Sequence, residues 1–254
     1  MPLPTLSVPE YEVKLPSRRK KIRIRPFLAK EQKVLLMAIE TGDENQMYSA
    51  VVNILKECIL DKKFNVEGLA TFDLEYLMVQ LRMRSVNEIS EISFIPPERK
   101  RELDKRKKEP TADDYIKAEI NLAEINIDVP KDHNIIQLRD DITLEMKYPN
   151  LKLLTQLKKI DDKSEIEQMF ILMGYLIETI YYGDDNYPFK DATDKEQEEF
   201  IDNMSPADLE KMTQFFNTIP TLQHKIEYTY KDKKKTLTLE GLHDFFEFVL
   251  PTST

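Results

Sequence analysis

Glycine and cysteine are scarce in this chain of 254 residues, which contains five glycines and one cysteine. The glycines stand far apart, so there is no GxGxxG or P-loop pattern and the two common phosphate-binding backbones are excluded. The single cysteine, Cys58, cannot build a disulfide framework or a thiolate zinc site. It lies on the apolar face of a predicted helix, where we expect a small buried hydrophobic residue rather than a nucleophile.

Residues suited to catalysis or metal binding are equally few. The three histidines, His133, His224 and His243, form no HExxH or other close ligand pair. His224 and His243 could meet across a predicted hairpin, but two ordinary boundary histidines are the simpler interpretation. The acidic loop at Asp184-Asp185 lacks the central glycine and terminal glutamate of an EF-hand. We therefore expect no catalytic residue, no metal, no cofactor and no enzyme; a hydrolase or nuclease that uses clustered carboxylates with a divalent cation is the enzymatic alternative.

Charge and hydropathy exclude two further classes of partner. The net charge is -9, with 46 acidic against 37 basic residues, which argues against binding to the phosphate backbone of nucleic acid. The most apolar stretch, 169–180, is interrupted by Gly174 and Glu178 and is too short to cross a bilayer. The opening MPLPTLSVPE has no basic and apolar signal-peptide regions, so we expect the cytosol or a particle assembled there.

The order of periodic segments predicts an α+β fold that is mainly helical, with antiparallel β-hairpins near the N-terminus, in the middle and near the C-terminus. Capping signals support two helix starts, at Ser164 with Glu167 and at Ser205 before Pro206. Hairpins are predicted over 9–27 and 222–239, and strands in the middle over 89–95, 115–120, 125–129 and 143–148. Helices are predicted over 29–40, 44–60, 73–84, 151–160, 163–182, 195–203, 206–217 and 240–249.

Composition shifts divide the chain into three predicted segments: 1–68, a hairpin with helices; 69–150, a helix with an antiparallel β region; and 151–254, a helical region with a hairpin and closing helix. One continuous domain is the alternative. The run at 98–114 is a charged insertion with almost nothing to bury, which favours a solvated, mobile loop. We expect the core to centre on the most apolar helices, at Leu77, Leu81, Leu172, Leu176, Phe215 and Phe216.

The strongest candidate for a binding surface is the basic turn of the first hairpin. Aromatic residues are not interleaved with its charges, so it lacks the stacking platform of a single-strand binder. We predict that it docks onto an acidic protein partner, with a solvated turn as the alternative. The predicted partner-binding residues are Arg18, Arg19, Lys20, Lys21, Arg23 and Arg25.

Three distinctive motifs follow one another along the chain. The first is Arg25-Pro26-Phe27-Leu28 followed by Lys30-Glu31 at the start of an apolar helix. The second is FDLEYLMVQLRMRSVNE, and the third is the ending FFNTIPTLQHKIEYTY…LTLEGLHDFF. In this order, over about residues 2–248, they resemble the baseplate hub family of T4-like contractile-tailed bacteriophages. Some relatives carry cysteine pairs in the hairpins, but this chain has Lys231-Asp232-Lys233 there, so no metal site is carried over.

The resemblance implies a structural or assembly component of the baseplate hub of a contractile tail, acting through protein–protein contacts. The alternative is a tail assembly chaperone or adaptor that binds a client such as the tape-measure protein and is absent from the mature virion. The implied partners are other tail and baseplate hub proteins, with no nucleic acid, membrane or small-molecule substrate. The implied location is the virion tail, or the host cytoplasm during assembly.

Overall fold

The computed structural model of the protein describes residues 6–18, 21–41, 43–153 and 162–241, together with Asp244. It confirms the α+β class, because the strands of the described residues pair antiparallel in small sheets between helices. The chain forms two compact units. The hairpin unit comprises residues 1–66, 72–127 and 221–254, and the sheet unit comprises 67–71 and 128–220.

The elements alternate between hairpins and helices along the chain. The first half contains β1 (Tyr11–Lys14), β2 (Lys21–Ile24), α1 (Ala29–Glu40), α2 (Glu44–Cys58), α3 (Thr71–Ser85), β3 (Ile89–Phe94), α4 (Pro97–Arg106) and β4 (Ile116–Asn121). The second half contains β5 (Ile135–Arg139), β6 (Ile142–Met146), α5 (Glu165–Leu176), β7 (Ile177–Tyr182), β8 (Asp185–Pro188), α6 (Asp194–Asp202), α7 (Pro206–Asn217), β9 (Gln223–Tyr230) and β10 (Lys233–Glu240).

Among its described residues, the hairpin unit contains three two-stranded sheets: β1–β2, β3–β4 and β9–β10. Alternate residues of β3 are buried, as expected when one face of a strand pair packs on a core. Phe94 of β3 meets Tyr228 of β9 edge-to-face, with ring centroids 5.2 Å apart. The second and third hairpins share a buried cluster with Val79 of α3 that also includes Ile92, Ile120, Leu122, Ile125, Leu222, Ile226 and Leu239.

Helix α3, one of the apolar helices on which the core was expected to centre, is buried on most sides. Its buried polar residues therefore need partners inside the protein. Asp73 accepts hydrogen bonds from Ser17, and a carboxylate oxygen of Glu75 accepts one from the Leu222 N–H at 3.4 Å. Arg82 differs, because its buried Nε and Nη1 have no hydrogen-bond partner in the part of the chain that the structure describes. Burying guanidinium nitrogens without hydrogen-bond partners is unfavourable, so the position of Arg82 lowers the stability of the folded protein.

The sheet unit is built on a four-stranded antiparallel sheet in the order β5-β6-β7-β8. Its core includes Leu144, Ile177 and Met212, each fully buried. The rest of the cluster comes from β5 and β6, from helices α5, α6 and α7, and from Leu153, Phe189 and Met204. Four of the six predicted core residues are buried, Leu77 and Leu81 in the hairpin unit and Leu176 and Phe215 in the sheet unit. The other two, Leu172 and Phe216, are partly buried in the sheet unit.

The single long helix predicted over 163–182 is wrong. Helix α5 ends at Leu176, and Ile177 begins β7. The sequence Ile-Glu-Thr-Ile-Tyr-Tyr is rich in β-branched and aromatic residues, which fit a pleated sheet better than a helix. Gly183, at φ +58°, then turns the chain into β8, so the acidic loop predicted at Asp184-Asp185 leads directly into an edge strand.

The strand predicted over 125–129 is also wrong, and β5 was not predicted. The side chain of Asn121 accepts a hydrogen bond from the Ala123 N–H at 3.1 Å, which starts a 3-10 turn over Leu122–Glu124. Leu122 and Ile125 are buried in that turn. Of the alternating residues that suggested a strand, Ile125 is buried and Ile127 and Val129 are half-buried, and none of them belongs to a strand among the described residues.

The charged insertion at 98–114 is not a mobile loop. Residues Pro97–Arg106 form α4, with Pro97 at the first helical position and Leu103 buried. Glu98 and Glu102 face the third hairpin and pair with Lys235 at 3.0 Å and Lys231 at 2.8 Å. The local sequence could not show this, since the neutralising lysines lie far along the chain.

The other local predictions have mixed outcomes. The capping boxes at Ser164 and Ser205 are present, and α6 and α7 agree closely with the predicted 195–203 and 206–217. Most of the helix predicted over 151–160, and all but the start of that over 240–249, lies outside the described residues. The division into three segments at 68 and 150 stays a prediction.

The N-terminus of α7 carries a pH-sensitive contact. The buried Asp208 accepts a hydrogen bond from Arg139 Nη2 at 2.8 Å, and this hydrogen bond lowers the pKa of Asp208 to about 2. The pKa of an aspartate in an unfolded chain is about 3.9. The stabilisation is therefore complete above about pH 4 and is lost as the pH falls through about 2.

We expect the stability difference between the wild-type protein and Asp208→Asn to be largest near neutral pH and to shrink between pH 4 and pH 2. Urea unfolding at a series of pH values measures that difference. Asp202→Asn, at an exposed position of α6, is the matched control. A difference that does not change with pH would show that Asp208 is not the titrating group.

Candidate partner-binding surface

The N-terminal hairpin, which comprises β1, β2 and the turn between them, has one buried face and one exposed face. Val13, Ile22 and Ile24 alternate inward and are buried, together with Leu15. Glu12 lies opposite Arg23, and Lys14 lies opposite Lys21, on the outward face. This two-faced pattern is the one the sequence predicted for residues 9–27, and it directs the basic residues of the strands toward solvent.

The hairpin is held on α3 at both ends. At the turn, Ser17 donates from its N–H to Asp73 Oδ1 at 3.0 Å and from its hydroxyl to Oδ2. At the open end, the Arg84 guanidinium lies 5.2 Å from the ring centre of Tyr11. Because Asp73 is buried in α3, its hydrogen bonds anchor Ser17, at the start of the turn, to the core.

The outer edge of β2 is covered by the residues that follow α2. The Arg25 N–H donates to the Cys58 carbonyl at 2.9 Å, and the Leu60 N–H donates to the Arg23 carbonyl at 2.9 Å. No strand pairs with the other edge of the hairpin, along β1, among the described residues. The hairpin therefore presents one strand edge for pairing with another chain.

Arg25 does not belong to the exposed basic surface. Its Nη2 donates to Glu31 Oε1 at 2.8 Å, and both side chains are largely buried. Glu31 also accepts the Leu28 N–H at 2.8 Å at the start of α1. Burial alone would raise the pKa of Glu31, but the Arg25 hydrogen bond and the Leu28 N–H outweigh it and lower that pKa.

The remaining predicted binding residues occupy the turn and the outward face. Arg18 is exposed, and its N–H donates to the Leu15 carbonyl at 3.3 Å. Lys21 pairs with Glu12 at 3.0 Å, and Arg23 lies 3.5 Å from Glu10, all with exposed side chains. Such surface pairs stabilise weakly and exchange readily for a partner's carboxylates. Arg19 and Lys20 lie outside the described residues.

Two residues that could have carried chemistry are explained by packing or by ordinary contacts. Cys58 is fully buried, as predicted, and burial raises the pKa of its thiol to about 12, so it is protonated at neutral pH. His133 contacts the Tyr148 hydroxyl through Nδ1 and the Thr218 hydroxyl through Nε2, each at 3.0 Å. The approach of His224 to His243, which the sequence analysis gave as the alternative to two ordinary boundary histidines, is untested because His243 lies outside the described residues.

The described part of the chain contains neither a candidate metal site nor a candidate membrane-spanning helix. There, no three side chains among His, Cys, Asp and Glu come together in a way that could hold a metal ion. The helices in the same residues include none that is both long and apolar enough to span a bilayer.

A second surface feature, which the sequence did not indicate, lies in the sheet unit between β8 and α6. It is a groove of about 510 Å³ that we call the aromatic groove. The side chains of Tyr182 and Tyr187 are each 51% exposed at its mouth. Phe189 and Phe200 form its wall, with ring centroids 6.1 Å apart. Its other lining residues are Ile142, Ile180, Asn186, Pro188, Asp191, Ala192 and Glu196. The groove was missed because it depends on β7 and β8, which the sequence misassigned.

Comparison with known proteins identifies the family of the chain. A sequence model of the family described as T4 bacteriophage base plate protein matches residues 8–247, which is nearly the whole chain. The chain belongs to this family. The match confirms the resemblance to T4-like baseplate proteins and places the chain's role in the structure or assembly of the phage base plate.

Membership of the base plate family implies a location in the virion tail and contacts with other tail proteins. It also makes a structural rather than an enzymatic role the expected one. Neither the curated proteins nor the solved structures contain a significant match to the chain.

Proposed function

We propose that this base plate protein is a component of the hub of a contractile tail and that it attaches to its neighbours through the N-terminal hairpin. The observation that carries the proposal is the fixing of a basic turn on a buried helix by Ser17 and Asp73. A hairpin anchored to the core at Ser17 loses less conformational entropy on docking than an unanchored one, so more of its contact energy contributes to binding.

The charge of the hairpin supports the same role. Residues 14–25 contain seven basic and no acidic residues, on a chain whose net charge is -9. Even with Arg25 paired internally, the turn and outward face keep a concentrated positive charge. Such a cluster speeds and orients docking onto an acidic surface and weakens with salt.

The test is reversal of the four turn residues to glutamate: Arg18→Glu, Arg19→Glu, Lys20→Glu and Lys21→Glu. We expect the melting temperature to change by only a few degrees, since exposed ion pairs contribute about 0–1 kcal/mol each. Tail assembly should fall sharply, because like charges then face the partner. Complementation of a phage that lacks the gene, scored by infectious titre and by electron microscopy of tails, measures the effect.

The matched control reverses two lysines and two arginines on α4: Lys100→Glu, Arg101→Glu, Lys105→Glu and Arg106→Glu. These side chains are exposed and the net charge changes by the same amount. We expect this variant to assemble tails normally. If the hairpin variant assembles tails normally, the basic turn is a solvated turn and not an attachment surface.

The assembly chaperone remains the alternative within the same family. It differs from the hub component in one observable, the presence of the chain in finished particles. A chaperone for a client such as the tape-measure protein would occur in assembly intermediates and be missing from purified virions. The exposed β1 edge would suit an extended client as well as a fixed neighbour.

A further inference from the structure

We propose that the aromatic groove of one copy receives the basic turn of the N-terminal hairpin of a second copy. The inference rests on the proposed function, in which that hairpin is an attachment arm, and it names the partner as another molecule of the same chain. The contact would join the hairpin unit of one molecule to the sheet unit of the next.

The groove has the composition of a docking site rather than of ordinary surface. Tyr182 and Tyr187 are half-exposed at its mouth, above the buried ring of Phe189. Large aromatic side chains are enriched in the centres of protein interfaces, where burying them supplies much of the binding energy. Strand β8 beside them is the last strand of the sheet, and no strand pairs with its other edge among the described residues.

The charge around the groove selects a basic occupant. Residues 184–210 contain ten acidic residues and two lysines, so this segment holds most of the net negative charge of the chain. Asp185 on β8 and Asp191 on the groove lining are exposed, and neither makes a side-chain hydrogen bond or ion pair in the described structure. An acidic rim around an aromatic floor suits arginine and lysine, whose charge meets the carboxylates while the stem covers the rings.

The same chain carries the complementary surface. Residues 14–25 contain only basic charges, and Arg18 at the turn is exposed. The molecule already places cations over tyrosines, with Arg84 5.2 Å from the ring centre of Tyr11 and Lys231 5.1 Å from that of Tyr230. The second copy is therefore the occupant favoured by charge complementarity.

A contact between two different patches of identical chains is heterologous. It repeats from copy to copy and generates a closed ring or an open chain, according to the rotation between neighbours. Either arrangement would let a base plate protein line up several copies of itself. It also predicts that association depends on concentration and weakens with salt, because the attraction is between surface charges.

Analytical ultracentrifugation of the full chain, over a range of concentrations at low and high salt, tests the inference. We expect the average mass to rise with concentration at low salt. Groove reversal, Asp185→Lys with Asp191→Lys, should weaken association on the order of tenfold or more, as should the fourfold hairpin reversal described above. Tyr187→Ala should also weaken it, and its half-exposed position makes loss of folding a small concern. Circular dichroism checks the fold of each variant.

The deciding variant combines both reversals in one chain. Swapping both signs restores attraction between hairpin and groove, so association should return toward the wild-type level. The matched control for the groove reversal is Glu91→Lys with Glu119→Lys, at exposed positions of β3 and β4. It changes the net charge by the same amount as the groove reversal and should leave association unchanged.

A chain that stays monomeric at every concentration, or a combined variant that fails to regain association, would overturn the inference. Failure of the proposed function is a separate result, namely normal tail assembly by the hairpin reversal. If that variant loses tail assembly while the wild-type protein never self-associates, the hairpin docks onto a different tail protein and only the self-docking inference fails.

Discussion

Replacing Glu31 with alanine is expected to lower the free energy of unfolding by about 3–5 kcal/mol, the usual cost of removing one member of a buried ion pair. The substitution leaves the Arg25 guanidinium buried without its carboxylate and leaves the Leu28 N–H without its acceptor. Both losses fall where β2 meets α1, so the N-terminal hairpin should lose its attachment at one end. Chemical denaturation of wild-type and variant proteins measures the change.

The effect of Glu31 should also depend on pH in a defined direction. Because the pKa of Glu31 is lowered in the folded protein, its contribution is complete above the unfolded value of about 4.3 and is lost at lower pH. Glu57→Ala is the control, since that exposed glutamate lies 3.6 Å from Lys30 on the surface. We expect it to change stability by no more than about 0.5 kcal/mol. Equal effects of the two substitutions would show that the Arg25 pair is not a buried one.

Truncation of Leu81 to alanine is expected to destabilise the hairpin unit by about 2–5 kcal/mol. Leu81 is fully buried on α3, and the same helix supports the N-terminal hairpin through Asp73 and Arg84. Ser85 of α3 accepts a hydrogen bond from the Phe27 N–H, just after the hairpin. The loss combines the transfer free energy of the side chain with the cavity that remains. Thermal and urea unfolding, read by circular dichroism, measure it.

Leu6→Ala is the matched control for Leu81→Ala, because Leu6 is 86% exposed and the same atoms are removed. Its effect should stay within about 0.5 kcal/mol. A similarly small effect at Leu81 would mean that α3 is peripheral. That result would contradict the burial of α3 in the core of the hairpin unit.

The parts of the fold that were predictable have short-range causes. The N-terminal hairpin followed from the alternation of Val13 with Lys14 and of Ile22 with Arg23, and the starts of α5 and α7 followed from Ser164 and Ser205. In each case the residues that determine the structure lie within a few positions of one another. Local propensity and local capping then suffice.

The errors have long-range causes. Residues 177–182 continue an apolar run, and their β-branched and aromatic side chains form a strand where β6 is present to pair with them. Residues 97–106 look like solvated charge until Lys231 and Lys235 are brought to them by the third hairpin. The aromatic groove combines both problems, because it exists only where β7, β8 and α6 meet.

Among the candidate binding residues, too, the sequence predicts features with local causes and misses those that depend on distant residues. Of the predicted binding residues, Arg18, Lys21 and Arg23 are exposed, whereas Arg25, which the sequence analysis grouped with them, is largely buried. The available signal was Glu31, an acidic residue in the first turn of α1 that lies six positions after Arg25. Charge pattern alone cannot distinguish a docking residue from a buried pair, because burial depends on what covers the side chain.

The central claim is that this base plate protein is built into the hub and acts there through protein contacts. Quantitative mass spectrometry of purified virions and of isolated base plates tests it most directly. A hub component is expected in both preparations at a constant ratio to the other base plate proteins, and that ratio should survive a high-salt wash of intact particles. Absence of the chain from both preparations, with its presence in assembly intermediates alone, would contradict the hub assignment and leave the assembly chaperone as the function.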